Sequence, residues 1–500
     1  MTSIWLVSLA LVAKIFLVKE FIKRKKLPPG PIRLPLIGNL HMFGENLHQD
    51  LYKIAKKYGP IMTIYFGLVP TIIASSPHAA QLFLKNHDQI FASRPHHAAC
   101  YYIFYKQRNL IMGKYGPYWR HMRKLCTLQL LNNVKINSFQ SMRKQEVQIL
   151  VNFLEKAASH RDVVDLSAKL TSLSANMACL MVIGKKYNNV DGDFKDMVQE
   201  MSRMAATPNL ADLFPFLRLI LRMKQIAKSC DEFLENVIDE HTGQYLSDQS
   251  KTSIDMVDTL MEIMQSGETE FEFDRRHVKA ILLDLLVASM DTSSTSIEWI
   301  LSELFKHPNV MKKLQSELDN VVGQKGIVEE KDLENLDYLN MVIKEGFRLH
   351  PVAPLLLPHE SIEDCTLDGF QIPKGSRVLV NVWAIGRDPD VWHEPEKFIP
   401  ERFVESTIDV RGQNFQLLPF GSSRRSCPGL QLGLTIVRLV VAQLVHSFDW
   451  ELPNGTMPND INMTEKFGLD LLVAFMDTLT TTIDWILSEL LRHPNVMENL

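Results

Sequence analysis

The densest chemical signal in this 500-residue chain surrounds one cysteine. Cys427 closes the segment Pro419-Phe420-Gly421-Ser422-Ser423-Arg424-Arg425-Ser426-Cys427-Pro428-Gly429, and an apolar run with helical spacing follows at residues 430–445. With proline at the first helical position, the cysteine lies where unpaired N–H groups and the helix dipole favour a thiolate. Two arginines close by add positive charge, and the flanking glycines permit a tight bend around the sulfur. A thiolate so placed is a nucleophile or a metal ligand; the plain alternative is a surface-loop cysteine before an ordinary helix. The other five cysteines, Cys100, Cys126, Cys179, Cys230 and Cys365, are scattered and form no CxxC pair. They read as inert thiols in a reducing compartment, which argues against a disulfide scaffold and a cysteine-rich zinc module.

Four further segments carry candidate chemistry. Glu345-Gly346-Phe347-Arg348 places a carboxylate and a guanidinium one helical turn apart. Pro400-Glu401-Arg402-Phe403 brings a third charge after a long interval. In Trp119-Arg120-His121-Met122-Arg123 the i,i+4 spacing sets Trp119 and Arg123 on one helix face. In Ala288-Ser289-Met290-Asp291-Thr292-Ser293, a threonine inside a helix can bond the carbonyl four residues back and open the ladder locally. Taken singly, each fits a solvated or buried helix without function.

These residues need a helical frame, and the periodicity predicts one. Apolar residues recur at three- and four-residue spacing over residues 163–183, 277–305 and 338–349. Two β-rich runs, 61–66 and 70–74, flank Gly67 as a hairpin. A second strand region is expected over 370–382, turning at Lys374-Gly375. The fold class is therefore mainly α, with small sheets near each end. Hydrophobic content of 46% and charged content of 22% suit a chain able to enclose a sizeable cofactor. A formal charge of −4 offers no basic field for nucleic acid.

Residues 1–22 read as a membrane anchor, because the basic cluster Lys23-Arg24-Lys25-Lys26 follows the apolar run and holds the rest in the cytosol. Lys14 makes that run short for a bilayer span, and an interfacial helix is the alternative. Residues 23–38 form a basic, proline-rich hinge through Pro28-Pro29-Gly30-Pro31. Residues 39–469 are one domain. Residues 470–500 repeat 284–314, identical at 22 of 31 positions.

The cysteine loop resembles the haem-binding signature of the cytochrome P-450 superfamily, Phe-x-x-Gly-x-Arg-x-Cys-x-Gly. Phe420, Arg425, Cys427 and Gly429 match it, and Ser423 stands where the family has glycine. The other four segments match that family in order, and the likeness is greatest to plant microsomal members. The resemblance implies the cytochrome P-450 fold and haem b held through Cys427. It implies that Phe420 shields the sulfur and that Trp119, Arg123 and Arg425 reach the propionates. It implies a structural triad of Glu345, Arg348 and Arg402. Asp291 and Thr292 would relay protons to reduced oxygen, as catalytic residues. The implied partners are dioxygen, a small lipophilic substrate and an NADPH-dependent flavoprotein reductase, at the endoplasmic reticulum membrane.

The chain also departs from the family. Ser289 replaces a usual glycine, and the duplicated tail stands where a closing strand pair is expected. A second reading follows, a haem-binding but catalytically defective relative or a fused gene. A third class would rearrange an oxygenated substrate without a reductase; Asp291-Thr292 favours oxygen activation instead.

Overall fold

Capping and apolar periodicity lay out most of the helices that position the site. The computed structural model describes residues 27–186, 221–245, 255–267, 269–323 and 327–465. The anchor, the Lys23–Lys26 cluster and the duplicated tail lie outside these residues.

Helix α1 (Leu47–Tyr58) leads into a hairpin of β1 (Ile61–Phe66) and β2 (Val69–Ala74), paired antiparallel from Ile61 opposite Ala74 to Phe66 opposite Val69. The proline segment is tied to this hairpin. Thr63 N donates to Pro29 O (2.8 Å) and Thr63 Oγ1 to Pro28 O (2.9 Å). Then come α2 (Pro117–Leu125), α3 (Gln140–His160), α4 (Leu166–Ile183), α5 (Leu221–Tyr245) and α6 (Met256–Ser266). Pro117 opens α2 at a position whose N–H needs no partner. Asp165 caps α4, and Asp255 with Asp258 forms a reciprocal box on α6.

Helices α7 (Arg275–Met290) and α8 (Thr292–Lys306) are one long rod interrupted at Asp291. Next are α9 (Pro308–Val322), α10 (Asp337–Leu349) and, after the small strands, α11 (Leu430–Ser447). The core is helix on helix: α7 and α8 pack on α4, and α8 packs on α11. Leu286, Val287, Ile300, Leu304, Val440 and Leu444 are all buried there. Each such side chain is worth about 1.5–3 kcal/mol removed from water. Gly346 in α10 makes the approach to α8 possible, since a Cβ there would lie 2.5 Å from Ile300 Cγ1. By length and composition Leu166–Ile183, Arg275–Lys306 and Leu430–Ser447 could each cross a membrane. Their most apolar windows are 61%, 67% and 56% buried inside the protein, so the hydropathy is accounted for by the core.

The strand region after residue 359 differs from the sequence expectation. Strands β3 (His359–Glu360) and β6 (Arg377–Val380) join the first sheet in the order β1-β2-β6-β3, with β6 parallel to β2. Strands β4 (Cys365–Leu367) and β5 (Phe370–Ile372) form a separate hairpin. The hairpin turn is therefore Asp368-Gly369, and Lys374-Gly375 only carries the chain between sheets. Val382 is not a strand residue. Asn381 Oδ1 accepts from Ala384 N (3.0 Å) and starts the short helix Val382–Ile385.

Candidate haem-thiolate site

The cysteine loop is a compact turn closed by Cys427 N donating to Phe420 O (2.9 Å). It bends at two left-handed positions, Gly421 (φ +67°) and Ser423 (φ +53°). Glycine reaches that region freely, whereas serine is strained in it. The Cys427 side chain is solvent-accessible, yet protein atoms crowd it on nearly all sides. Burial pushes its thiol up, while the Gly429 N–H and the Arg123 charge pull toward the thiolate. Phe420 packs edge-on against Phe347 of α10, with ring centres 5.4 Å apart.

Around this loop lies a cluster of cations. Arg425 stacks on the Trp119 indole at 3.8 Å and donates to Ala92 O (2.6 Å), Leu110 O (3.3 Å) and Gly113 O (2.5 Å). Arg123 donates to Ser426 O (2.8 Å). Arg94 is buried and donates to Leu357 O and Pro358 O, both at 2.8 Å. No carboxylate pairs with any of the three among the described residues. Burial lowers Arg94 to about 9. Burial, then repulsion from Arg94 and Arg123, lowers Arg425 to about 8.

Trp119, Arg123, Arg425 and Cys427 thus come together; the i,i+4 spacing puts the first two on one face of α2, and tertiary folding brings that face to the cysteine loop. The Trp119 N–H is engaged by Leu110 O (2.8 Å). Glu345, Arg348 and Arg402 also meet. Arg348 Nε donates to Glu345 Oε2 (2.8 Å) and Arg402 Nε to Glu345 Oε1 (2.9 Å), with Glu345 and Arg348 fully buried. Arg348 further donates to Pro395 O (2.6 Å) and Lys397 O (3.0 Å).

The α7–α8 junction carries the remaining pair. Thr292 Oγ1 donates to Ala288 O (2.9 Å), and Ser289 Oγ donates to Leu285 O (2.5 Å). Hydroxyls bonded back to carbonyls this way locally loosen a helix, and the ladder breaks at Asp291 (φ −107°, ψ −32°). Burial raises the Asp291 carboxyl.

Two residues escaped the sequence reading. Arg94 carries no local signal, since its partners are backbone carbonyls distant in the chain. Asp284 did leave one: an acid among Leu282, Leu283, Leu285 and Leu286 on a core helix. Its buried carboxylate accepts from Asn109 Nδ2 (2.6 Å), Leu110 N (2.5 Å) and Ile111 N (3.2 Å), and burial pushes it up to about 7.

An accessible thiol beside cations that have no anionic partner defines a site for a prosthetic group that takes a sulfur ligand and brings its own negative charge. Haem fits that description, through its iron and its two propionates. The cytochrome P450 family profile matches residues 28–470, and the chain belongs to that family. Cytochrome P450 CYP736A12 of Panax ginseng is 50% identical over 459 residues, covering 89% of this chain and 91% of that protein. Phenylacetaldehyde oxime monooxygenase CYP71AN24 of Prunus mume is 40% identical over 459 residues, with 89% and 87% covered. Among solved structures, a zebrafish cytochrome P450 with progesterone is similar at a TM-score of 0.69 and 27% identity, over 80% of this chain and 92% of that one. The protein is a haem-thiolate monooxygenase, with haem bound through a cysteine thiolate.

Proposed function

We propose that this enzyme inserts one atom of dioxygen into a small lipophilic, secondary-metabolite-like substrate, using NADPH electrons delivered by a flavoprotein reductase at the endoplasmic reticulum membrane. Cys427 is the thiolate that holds haem b. The observation that carries this reading is the accessible Cys427 sulfur flanked by Arg94, Arg123 and Arg425, none of which meets a carboxylate among the described residues. The Prunus relative is named for oxidising an aldehyde oxime, which supports a small, weakly polar substrate here.

When bound, haem supplies dioxygen activation, and thiolate electron release favours O–O cleavage. The chain's own residues do the rest. Arg94, Arg123 and Arg425 hold the propionates. Phe420 and Gly429 enclose the sulfur. Asp291, its carboxyl raised by burial, and Thr292 would relay protons at the broken ladder, where water would have a place to pass them on. Glu345, Arg348 and Arg402 keep α10 and the Phe420 loop in register.

A second reading, a haem-binding but defective relative, is favoured by one observation: the strained serine at φ +53° inside the cysteine loop. A carbon monoxide difference spectrum of the reduced, membrane-expressed chain separates the readings. The expected result is a red-shifted Soret band, lost in Cys427→Ser, with NADPH consumption on adding reductase and substrate. Absence of the shifted band refutes the assignment of Cys427. A shifted band with no oxygen transfer to any lipophilic substrate supports the defective relative.

A further inference from the structure

A cavity lies away from the cysteine loop, where the loop before α2 meets the N-terminal end of α7. It is a half-open hollow of about 480 Å3 lined by Arg108, Tyr118, Phe271, Glu272, Asp274, Arg276 and His277. A small-molecule site commonly falls in the range of ~300–1,000 Å3. Three of its lining residues carry rings. Tyr118 packs edge-on against Phe271 at 5.4 Å, Phe271 against His277 at 5.3 Å, and Tyr118 lies 5.7 Å from His277. Planar rings so arranged bind a flat aromatic body well.

The rim sets Arg108 and Arg276 against Glu272 and Asp274, and the four are not equally committed; the Glu272 charge is felt by Arg276. Asp274 is already committed: it caps α7 and takes two hydrogen bonds from Arg276, at 2.9 and 2.6 Å. Arg108 is exposed and its guanidinium has no partner among the described residues; its charge is felt by Tyr118 and His277 across the cavity. His277 is buried, its Nδ1 is engaged by Asp274, and Nε2 has no hydrogen-bond partner among the described residues. An uncommitted guanidinium and an uncommitted imidazole nitrogen beside these rings suit a carboxylate carried on a ring.

The cavity is joined to the haem-thiolate site through one short segment. Tyr118 Oη donates to Arg108 O (2.8 Å), which pins the loop to α2 at the cavity wall. The next three residues, Asn109, Leu110 and Ile111, are fastened to Asp284. Leu110 O then receives the Trp119 N–H and Arg425. A ligand that grips Arg108 pulls on the segment that seats both.

We propose that this cavity is a second, effector-type ligand site for a planar aromatic carboxylate, which Arg108 recognises and whose binding is transmitted along residues 108–111. The test uses the full-length, haem-loaded chain and 2-naphthoate as probe, followed by its fluorescence anisotropy. Saturating 4-phenylimidazole, verified by its Soret shift, blocks the haem pocket. Saturable naphthoate binding should persist under that block. Neutral 2-naphthamide should bind about tenfold more weakly, and Arg108→Gln should weaken naphthoate by a similar factor, the loss of one charge-assisted hydrogen bond. The exposed Arg108→Gln variant should keep the wild-type carbon monoxide spectrum. Saturating naphthoate should also shift the spectral Kd of 4-phenylimidazole at least about twofold in the wild type and not in Arg108→Gln. Displacement of naphthoate by 4-phenylimidazole, equal binding of the amide, or wild-type affinity in Arg108→Gln overturns the site. Intact binding with an unmoved 4-phenylimidazole Kd overturns the transmission. Naphthoate anisotropy needs no haem, so in a chain that fails to take up haem the amide comparison and Arg108→Gln still decide whether Arg108 recognises the carboxylate.

Discussion

Two groups of arginines, both taken out of water, are compensated in different ways. Arg348 and Arg402 share the Glu345 carboxylate, and the remaining N–H groups go to carbonyls such as Pro395 O and His393 O. Arg94, Arg123 and Arg425 have carbonyls alone, apart from the Ser426 hydroxyl near Arg123. A buried charge without a counter-charge is expensive. The first group is complete in itself and so serves the fold. The second is solvated by peptide dipoles but not neutralised, which is the condition of a site made for an anion.

The largest expected effect comes from breaking the complete group. Glu345→Ala leaves Arg348 and Arg402 buried without their carboxylate, at a cost of about 3–5 kcal/mol. That is a large share of the ~5–15 kcal/mol that holds a typical protein folded. Urea unfolding should show a midpoint far below wild type and little recoverable holoprotein. A wild-type midpoint would erase the contrast between the two groups.

Asp284 sharpens the contrast from the opposite sign. It is a buried anion met by N–H dipoles, and the Leu110–Ile111 peptide links it to the cations: Ile111 N–H points to Asp284 while Leu110 O faces Arg425 and Trp119. Its carboxyl sits at about 7 in the fold against 3.8 for the free group. The native state therefore holds that proton more tightly than the unfolded chain. Stability from this group falls as pH rises from about 4 to about 7 and is level above. Between pH 5 and pH 8 wild type should lose about 2 kcal/mol more than Asp284→Asn, read as the shift of urea midpoints. Glu303 does not blur that window. Burial opposes its ionisation, but hydrogen bonds from His307 and His350 prevail and hold it at about 2, so its contribution is lost only in more acid solution. Parallel pH curves for the two proteins would count against Asp284 as a strained anion.

Arg425→Gln tests the incomplete group directly. Relief of repulsion from Arg94 and Arg123 offsets part of the lost carbonyl bonds, so the haem-free chain should shift by no more than ~1.5 kcal/mol. Transfer of haem to apomyoglobin should accelerate about tenfold, equivalent to ~1.4 kcal/mol of lost anchoring. The reverse pattern, a collapsed fold with unchanged haem transfer, would make this cluster structural like the first.

What was legible in the sequence follows the same division. The Glu345–Arg348 pair and the Trp119–Arg123 face are local, set by helical period, and the Cys427 loop announces itself through proline, glycine and arginine. The carbonyl partners of Arg94 and Arg425 are not legible, because any residue supplies a carbonyl and only tertiary folding decides which one is near. The strand error has a related cause. Asp368-Gly369 and Lys374-Gly375 carry similar turn chemistry, and it is the parallel pairing of β6 with β2, from Thr71 opposite Arg377, that draws the second away from its neighbour. Asp284 lay between these cases: the acid among leucines was visible, its three donors were not.

The smallest expected effect concerns the loop that carries Arg425. Ser423 holds φ +53° two residues after Gly421 at φ +67°. An L-residue in that region pays ~1–2 kcal/mol. Glycine would remove the strain but lose ~0.5–1 kcal/mol through the extra freedom of its unfolded chain. The balance predicts that Ser423→Gly raises stability by about 0.5–1 kcal/mol, seen as a small rise in the urea midpoint. Because the strain sits between Phe420 and Arg425, relief should also slow haem transfer to apomyoglobin, whereas a purely global gain in stability would leave transfer from the folded state unchanged. A lower urea midpoint in Ser423→Gly would show that the Ser423 side chain supports the loop in a way that outweighs its backbone strain, and the defective-relative reading would then lose the observation that favours it.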